Sequence, residues 1–154
     1  MEENRDLIRQ HLLASIDVKT QLLSNYETLS AILELAKSIT KALRQGGKII
    51  FCGNGGSFAD AQHLSAEFTS RFMFDRPSLP SLALGTNSSA MSAVANDYGY
   101  EHVFSREFNS IALEQDVLIG ITTSGSSPNV VNVIENAERR GVYSAMLTGS
   151  KKGI

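Results

Sequence analysis

Two short apolar runs constrain this sequence most, because each ends in a cluster of small residues and leads into a helical pattern. The first run, Lys48–Cys52, stops at the glycine cluster Gly53–Gly56. The second run, Val117–Ile121, is continuous and rich in β-branched residues, as is typical of a strand buried on both faces. It stops at the small-residue segment Thr122–Pro128. A strand that enters a helix through a tight loop indicates a βαβ unit and a parallel sheet.

The remainder of the chain after residue 45 continues this alternation of strands and helices. We therefore predict an α/β fold with a doubly wound parallel sheet and helices on both of its faces. The further elements expected from hydrophobic periodicity are a helix over Ser57–Phe72, a strand over Ser81–Leu84, helices over Met91–Asn96, Val103–Ala112 and Asn129–Arg140, and a strand over Val142–Leu147.

Residues 1–45 are predicted to be helical, because apolar residues recur at intervals of three and four through Leu7–Leu23 and Tyr26–Leu43. We expect this N-terminal segment to pack on a neighbouring subunit; the alternative is that it covers its own sheet. Residues 46–154 form the expected ligand-binding domain. We expect that domain to be incomplete, because the sequence stops at Lys151–Ile154, where this architecture normally adds a helix.

Composition and charge exclude several classes of function. The 154 residues include 14 Lys and Arg and 16 Asp and Glu, a net charge of -2, which offers no basic surface for nucleic acid or for an anionic membrane. The N-terminus lacks the apolar core of a signal peptide. Cys52 is the single cysteine, which excludes an intrachain disulfide, and we expect it to be buried. These features predict a cytoplasmic protein without nucleic-acid or membrane partners.

The two small-residue loops are candidate phosphate sites. Both follow strands, and the carboxyl ends of parallel strands are where ligands bind in open α/β sheets. Unpaired N–H groups at the start of the following helices favour an anion. The alternative for Ser57 is ordinary capping of its helix. Neither the dinucleotide fingerprint nor the Walker loop is present, so a small phosphorylated metabolite is the expected ligand. The hydroxyls available for it are those of Ser57, Thr122, Thr123, Ser124 and Ser127.

The helix after the first loop carries two groups that can do chemistry. His63 and Glu67 are four residues apart and share one helix face, so they can bind one divalent metal, with zinc the best match. Alternatively, Glu67 is a general base, or both residues belong to a solvated helix face. Asn96 and Asp97 can hydrogen-bond sugar hydroxyls; their alternative role is a helical turn closed by Gly99.

Several motifs follow one another along the chain. They are Cys52-Gly53-Asn54-Gly55-Gly56-Ser57, Ala59-Asp60-Ala61-Gln62-His63 with Glu67, Arg76-Pro77 to Pro80, Asn96–Tyr100, Phe104-Ser105-Arg106, Asp116–Gly120 and Thr122–Ser127. Taken together, these motifs resemble the sugar isomerase (SIS) domain of the phosphoheptose isomerases, over essentially the whole chain. This resemblance implies a flavodoxin-like three-layer sandwich with an N-terminal helical extension.

The resemblance implies an aldose–ketose isomerase that converts D-sedoheptulose 7-phosphate to D-glycero-D-manno-heptose 7-phosphate, for lipopolysaccharide precursors. It also implies a cytoplasmic homotetramer with active sites at subunit interfaces and one Zn²⁺ per subunit. By position, Glu67 matches the catalytic base and, with His63, the metal ligands. The matched substrate-binding residues are Asn54, Gly55, Gly56, Ser57, Glu67, Asn96, Asp97, Thr122, Thr123, Ser124 and Ser127.

Some functional groups of the family are not matched by this sequence. A second acid–base histidine and a glutamine that completes the metal site are expected to lie after residue 154. Two alternatives of other classes stay open at this point. One is a non-catalytic SIS protein that binds a replication initiator, although Glu67 and the Gly55-Gly56-Ser57 loop, altered in such a relative, are intact here. The other is a sugar-phosphate sensor, which would need a DNA-binding segment.

Overall fold

The computed structural model describes residues 2–149, so the expectations that fall on Lys151–Ile154 lie outside the described residues. The chain divides into one compact unit up to Lys37 and a second from Ser38 on. The elements are α1 (Glu2–Ser24), α2 (Tyr26–Arg44), β1 (Ile49–Gly53), α3 (Gly56–Thr69), β2 (Ser81–Ala83), α4 (Ser88–Tyr98), a 3-10 turn (Tyr100–His102), α5 (Val103–Ile111), β3 (Val117–Thr122), α6 (Pro128–Arg139) and β4 (Tyr143–Thr148).

The first unit is helical, as predicted. Asn25 separates the two helices, and its Oδ1 accepts a hydrogen bond from the Thr28 N–H over 2.9 Å at the start of α2. No helix within residues 2–149 is both long and apolar enough to cross a membrane. The division near residue 45 and the contact with a neighbouring subunit stay predictions. Large apolar side chains are exposed along both helices, among them Leu7, Ile8, Leu12, Leu13, Ile16, Leu23, Ile32 and Leu33.

The second unit holds a sheet that, within the described residues, has four parallel strands in the order β2-β1-β3-β4. In the central pair, Ile49 lies opposite Val117 and Gly53 lies opposite Ile121. The chain moves outward from β1 to β2, then returns past β1 to β3 and on to β4. Because such crossovers are right-handed, α3 covers one face and α4 to α6 cover the other. The doubly wound parallel sheet is therefore confirmed.

Most predicted boundaries agree with the structure or differ from it by one residue, and larger differences occur at the end of α3 and at both ends of α4. The strand β3 extends one residue further, so Thr122 is a buried strand residue and not a loop residue. The helix α4 begins at Ser88, before the predicted start, because the Asn87 side chain accepts a hydrogen bond from the Ala90 N–H. It continues through Tyr98 and ends at Gly99, whose φ of 93° few other residues adopt. The helix α3 ends at Thr69, short of Phe72.

A buried ion pair joins the starts of the two central strands. Asp116 is 1% exposed, and its Oδ1 accepts from the Lys48 backbone N–H over 2.8 Å. Its Oδ2 accepts from Lys48 Nζ over 2.6 Å and from the Leu113 N–H over 2.8 Å. Lys48 and Asp116 immediately precede β1 and β3. Their contacts therefore fix how these strands are aligned where they enter the sheet.

We predict that Asp116→Ala lowers the free energy of unfolding by about 3 kcal/mol, because it leaves the Lys48 ammonium and two backbone N–H groups without their acceptor. Urea unfolding at a fixed protein concentration measures this loss. The matched control is Glu114→Ala, at an exposed position two residues earlier, which should change the stability by less than about 0.5 kcal/mol. Equal effects of the two substitutions would contradict the assignment.

Candidate active site

The two predicted loops lie side by side. They follow β1 and β3, which are adjacent in the sheet and parallel, so both loops leave the same edge. The chain passes from β1 outward to β2 and afterwards to β3 on the other side, which makes this edge the switch point of the topology. Crevices at such points are where open α/β sheets bind ligands.

The first loop turns so tightly that its first residue must be glycine. A Cβ on Gly53 would lie 2.7 Å from the Ser57 carbonyl oxygen, whereas a Cβ on Gly56 would meet nothing within 4 Å. Gly55, with a φ of 55°, precedes the helix as its N-cap and offers no side chain. Ser57 lies inside the first turn of α3, so the capping interpretation of Ser57 is wrong. Its half-buried hydroxyl lies beside the first N–H groups of the helix, where an anion is favoured.

The second loop collects hydroxyl groups. Thr122 Oγ1 lies 2.9 Å from Ser127 Oγ and 3.4 Å from Ser124 Oγ. The Ser124 hydroxyl also accepts from the Ser126 N–H over 3.2 Å. Ser127 precedes α6 as its N-cap without capping it through its side chain, so this hydroxyl is directed to Thr122 instead. Thr123 is exposed in the same loop. The arrangement is a group of hydroxyl donors at a helix start, which suits a phosphate.

Asn129 joins the two loops and was missed by the sequence analysis. Its side-chain amide and that of Asn54 exchange two hydrogen bonds, each 2.8 Å long. Tyr100 Oη also donates to Asn54 Oδ1, over 3.2 Å. In the sequence Asn129 is simply the start of a helix. One signal for its burial was available in the sequence. Val133 and Ala137, which follow Asn129 at four and eight residues, form the buried stripe of α6.

His63 and Glu67 approach each other on α3. Their Nε2 and Oε1 atoms are 3.6 Å apart, and the side chains are 74% and 32% exposed. Two ligands of a tetrahedral zinc ion, each about 2.1 Å from it, lie about 3.4 Å apart, so this pair fits two positions of such a site. Within the part of the chain that the structure describes, no group of three or more His, Cys, Asp or Glu residues could hold a metal.

The structure does not place Glu67 among the loop residues. Glu67 lies ten residues after Ser57, about 15 Å along the helix axis. Its carbonyl oxygen accepts from Arg76 Nη2 over 2.6 Å, and the Phe68 carbonyl accepts from Arg76 Nη1 over 2.9 Å. Arg76 therefore supplies hydrogen-bond donors to carbonyl groups in the last turn of α3. The hollow around Glu67 is mostly apolar; its other lining residues are Leu64, Phe68, Phe72, Phe74, Arg76 and Leu79.

Asn96 and Asp97 lie in the last turn of α4. Asn96 Nδ2 donates to Asp97 Oδ1 over 2.8 Å, and both side chains are exposed. Gly99 closes this turn, which confirms the structural role that the sequence left open. The two residues line a shallow hollow with the serines of α4, separate from the two loops. Their contact with a sugar stays a prediction.

Cys52 is buried at the end of β1, as expected. Its thiol is completely shielded from solvent. Burial raises the pKa of this thiol to about 12, because the thiolate would lose its hydration. The thiolate is the reactive form of cysteine, so a buried thiol with a raised pKa is a poor nucleophile. Cys52 therefore belongs to the packing beneath the first loop.

The chain matches the family model described as SIS domain over residues 16–149. A phosphoheptose isomerase from Aneurinibacillus thermoaerophilus is 47% identical over 96% of this chain and 75% of that protein. One from Thermodesulfovibrio yellowstonii is 46% identical over 98% of this chain and 74% of the relative.

Two solved structures have the same fold. A phosphoheptose isomerase from Francisella tularensis superimposes with a TM-score of 0.88 at 34% identity, covering 96% of this chain and 76% of that one. The enzyme from Neisseria gonorrhoeae gives a TM-score of 0.84 at 38% identity, covering 94% and 74%.

We predict that Gly53→Ala and Gly56→Ala differ sharply in stability. Gly53→Ala should lower the free energy of unfolding by about 2 kcal/mol, because the new methyl group overlaps the Ser57 backbone. Gly56 is the first residue of α3, and a Cβ there meets no other atom within 4 Å. Gly56→Ala should therefore leave the free energy of unfolding unchanged or raise it by up to about 1 kcal/mol. Urea unfolding of both variants tests the geometry of the first loop. The reverse order of stabilities would show that the loop is built differently.

Proposed function

The chain belongs to the phosphoheptose isomerase family of SIS domain proteins, and from this membership we propose that it isomerises D-sedoheptulose 7-phosphate to D-glycero-D-manno-heptose 7-phosphate. The observation that carries the proposal is the pair of loops joined at the carboxyl ends of β1 and β3, with hydroxyls and helix starts suited to a phosphate. The names of the relatives favour an enzyme over a binding protein or a sensor.

The reaction moves one carbon-bound proton between neighbouring atoms. A base removes a proton from C1 of the ketose, the C1–C2 bond becomes an enediol, and a proton returns to C2 to give the aldose. The proton on the C1 oxygen leaves while the C2 oxygen gains one. Glu67 acts as the base in this proposal, because its carboxylate lies in a largely apolar hollow on the helix that starts at the phosphate loop. A second acid–base group is needed to remove the proton from the C1 oxygen and to supply one to the C2 oxygen.

The substrate lies along part of α3 in this proposal. Its phosphate accepts from Ser57 and from the hydroxyls of Thr122, Ser124 and Ser127, and its reacting carbons lie towards Glu67. A seven-carbon sugar phosphate has its phosphate and its carbonyl at opposite ends, which suits donors and a base that are separated along one helix. Binding both ends orients C1 at the carboxylate, which lowers the entropic cost of the proton transfer.

Zinc is the proposed metal, with His63 Nε2 and Glu67 Oε1 as two of its ligands. When bound, the ion supplies Lewis-acid polarisation of substrate oxygens. The remaining ligands would come from outside the described residues, from another subunit or from the substrate.

A homotetramer is the proposed assembly, with sites at the subunit interfaces and the cytoplasm as its location. Support comes from the apolar side chains of α1 and α2 that remain exposed in the first unit, among them Leu7, Leu12, Ile16, Leu23 and Leu33. Large apolar side chains exposed in such numbers favour an interaction surface. A role in supplying lipopolysaccharide precursors follows from the proposed product.

We predict that Glu67→Gln, in protein expressed from the native gene, lowers kcat for sedoheptulose 7-phosphate by about 1,000-fold or more, since the amide cannot accept the proton. The dissociation constant for the same compound, measured by calorimetry, should change by less than about fivefold, because the phosphate contacts remain.

The matched control for this variant is Glu138→Gln, which removes an exposed carboxylate on α6 and should leave both quantities unchanged. Turnover by Glu67→Gln at the wild-type rate would remove Glu67 from the role of base. Absence of turnover by the wild-type protein would remove the proposed reaction itself.

We predict that His63→Ala and Glu67→Gln each lower the zinc retained per chain by about tenfold or more after dialysis, because each removes one ligand. Elemental mass spectrometry measures the metal independently of activity. His11→Ala, at an exposed histidine on α1, is the control and should retain zinc. Full zinc content in both of the first two variants would contradict the proposed site.

A further inference from the structure

Asn129 makes more contacts than the start of a helix requires. It is the second residue of α6, is 2% exposed, and pairs with Asn54 at the end of the neighbouring strand. Tyr100, in the 3-10 turn after α4, donates to the same Asn54 amide. Three separate parts of the chain therefore meet at Asn54, and Asn129 is the fully buried member of the group.

A backbone group sets the orientation of this amide pair. The Val130 N–H can only donate; it reaches Asn129 Oδ1 and the Ser127 carbonyl oxygen, each over 3.0 Å. Asn129 Oδ1 thus faces a donor on that side and accepts from Asn54 Nδ2 on the other. A flipped Asn129 amide would direct an N–H group at the Val130 N–H, which is repulsive. Asn129 Nδ2 is therefore the donor to Asn54 Oδ1.

The consequence is that Asn54 can only donate to a ligand. Its Oδ1 already accepts from Asn129 Nδ2 and Tyr100 Oη, which uses both of its lone pairs. One of its two N–H groups is used on Asn129 Oδ1. Within residues 2–149 the other N–H is the single polar group of this amide without a partner. Phosphosugars present many oxygen acceptors, so this polarity suits them.

We propose that Asn129 is a positioning residue of the phosphosugar site, which acts through Asn54. It holds the Asn54 amide with one N–H available to a substrate oxygen and joins this donor to the loop that receives the phosphate. This role rests on the proposed function. Without Asn129 the amide is free to rotate and to direct its oxygen at the oxygen atoms of the substrate, which would weaken binding. The chemistry at Glu67 would be affected little.

A double-mutant cycle tests this role, using kcat and KM for sedoheptulose 7-phosphate in the wild type, Asn54→Ala, Asn129→Ala and the double variant. Asn129→Ala should raise KM about tenfold with kcat within about twofold, as expected for lost substrate binding. In the Asn54→Ala background the same substitution should change KM by less than about twofold, because its target is already absent. Tyr100→Phe, which removes the longer of the two bonds to Asn54 Oδ1, should raise KM by no more than about threefold.

Asn136→Ala is the structural control. Asn136 lies two turns further along α6 and hydrogen-bonds Asn132 and Asn109, away from both loops. It should lower the melting temperature as Asn129→Ala does and keep the wild-type KM. The proposal is overturned if Asn129→Ala has a wild-type KM, if the effects on KM multiply in the double variant, or if Asn136→Ala raises KM equally.

Calorimetric dissociation constants for sedoheptulose 7-phosphate, measured for the same four proteins, test the positioning role of Asn129 independently of the proposed reaction. Wild-type protein that binds but does not turn over the compound, with coupled effects of Asn54 and Asn129 on affinity, would overturn the reaction and support the positioning role. Turnover with multiplicative effects would overturn the positioning role alone. Wild-type protein that neither binds nor converts the compound would overturn both.

Discussion

The parallel pairing of β1 with β3 is the constraint on which the rest of this structure depends. Five consecutive residue pairs, from Ile49 opposite Val117 to Gly53 opposite Ile121, set the alignment of these strands. A shift of this pairing by one residue would displace the loop that follows one strand by about 3.3 Å relative to the other loop. The site exists because two chain segments separated by 68 residues leave the sheet at the same level.

Polar contacts fix this alignment at both ends of the strand pair. At the entrance, the buried Asp116 carboxylate accepts three hydrogen bonds, two of them from Lys48. At the exit, the Asn54 and Asn129 amides exchange two more. Between them the strands are apolar and buried, so packing favours the sheet but does not by itself choose a register. The buried polar groups determine the register, because a shifted pairing would leave them without hydrogen-bond partners.

The sequence was sufficient for the order and type of the elements after residue 45, because each strand is a short apolar run that ends in small residues. It was less informative about element ends, where side chains decide. The start of α4 depends on Asn87, and the first turn of α3 depends on Gly55, which is why Ser57 is not a cap. The spacing of Asn129 with Val133 and Ala137 could have indicated its burial, but its pairing with Asn54 could not be found from local patterns, because the two residues are 75 positions apart. Contacts of that kind become visible only when the sheet is assembled.

The helix α3 carries both kinds of group that the proposed reaction needs, and this explains its composition. Its first turn approaches the end of β1 closely, which requires glycine at Gly53, and Ala61 is completely buried. Its later turns leave His63 exposed and Glu67 half-buried, with side chains that are 74% and 32% exposed. A single helix is rigid over three turns, so the separation of Ser57 and Glu67 along its axis is set by residue count. The hydroxyls of the second loop lie on another part of the chain, and the Asn54–Asn129 amide pair joins that part to the loop before α3.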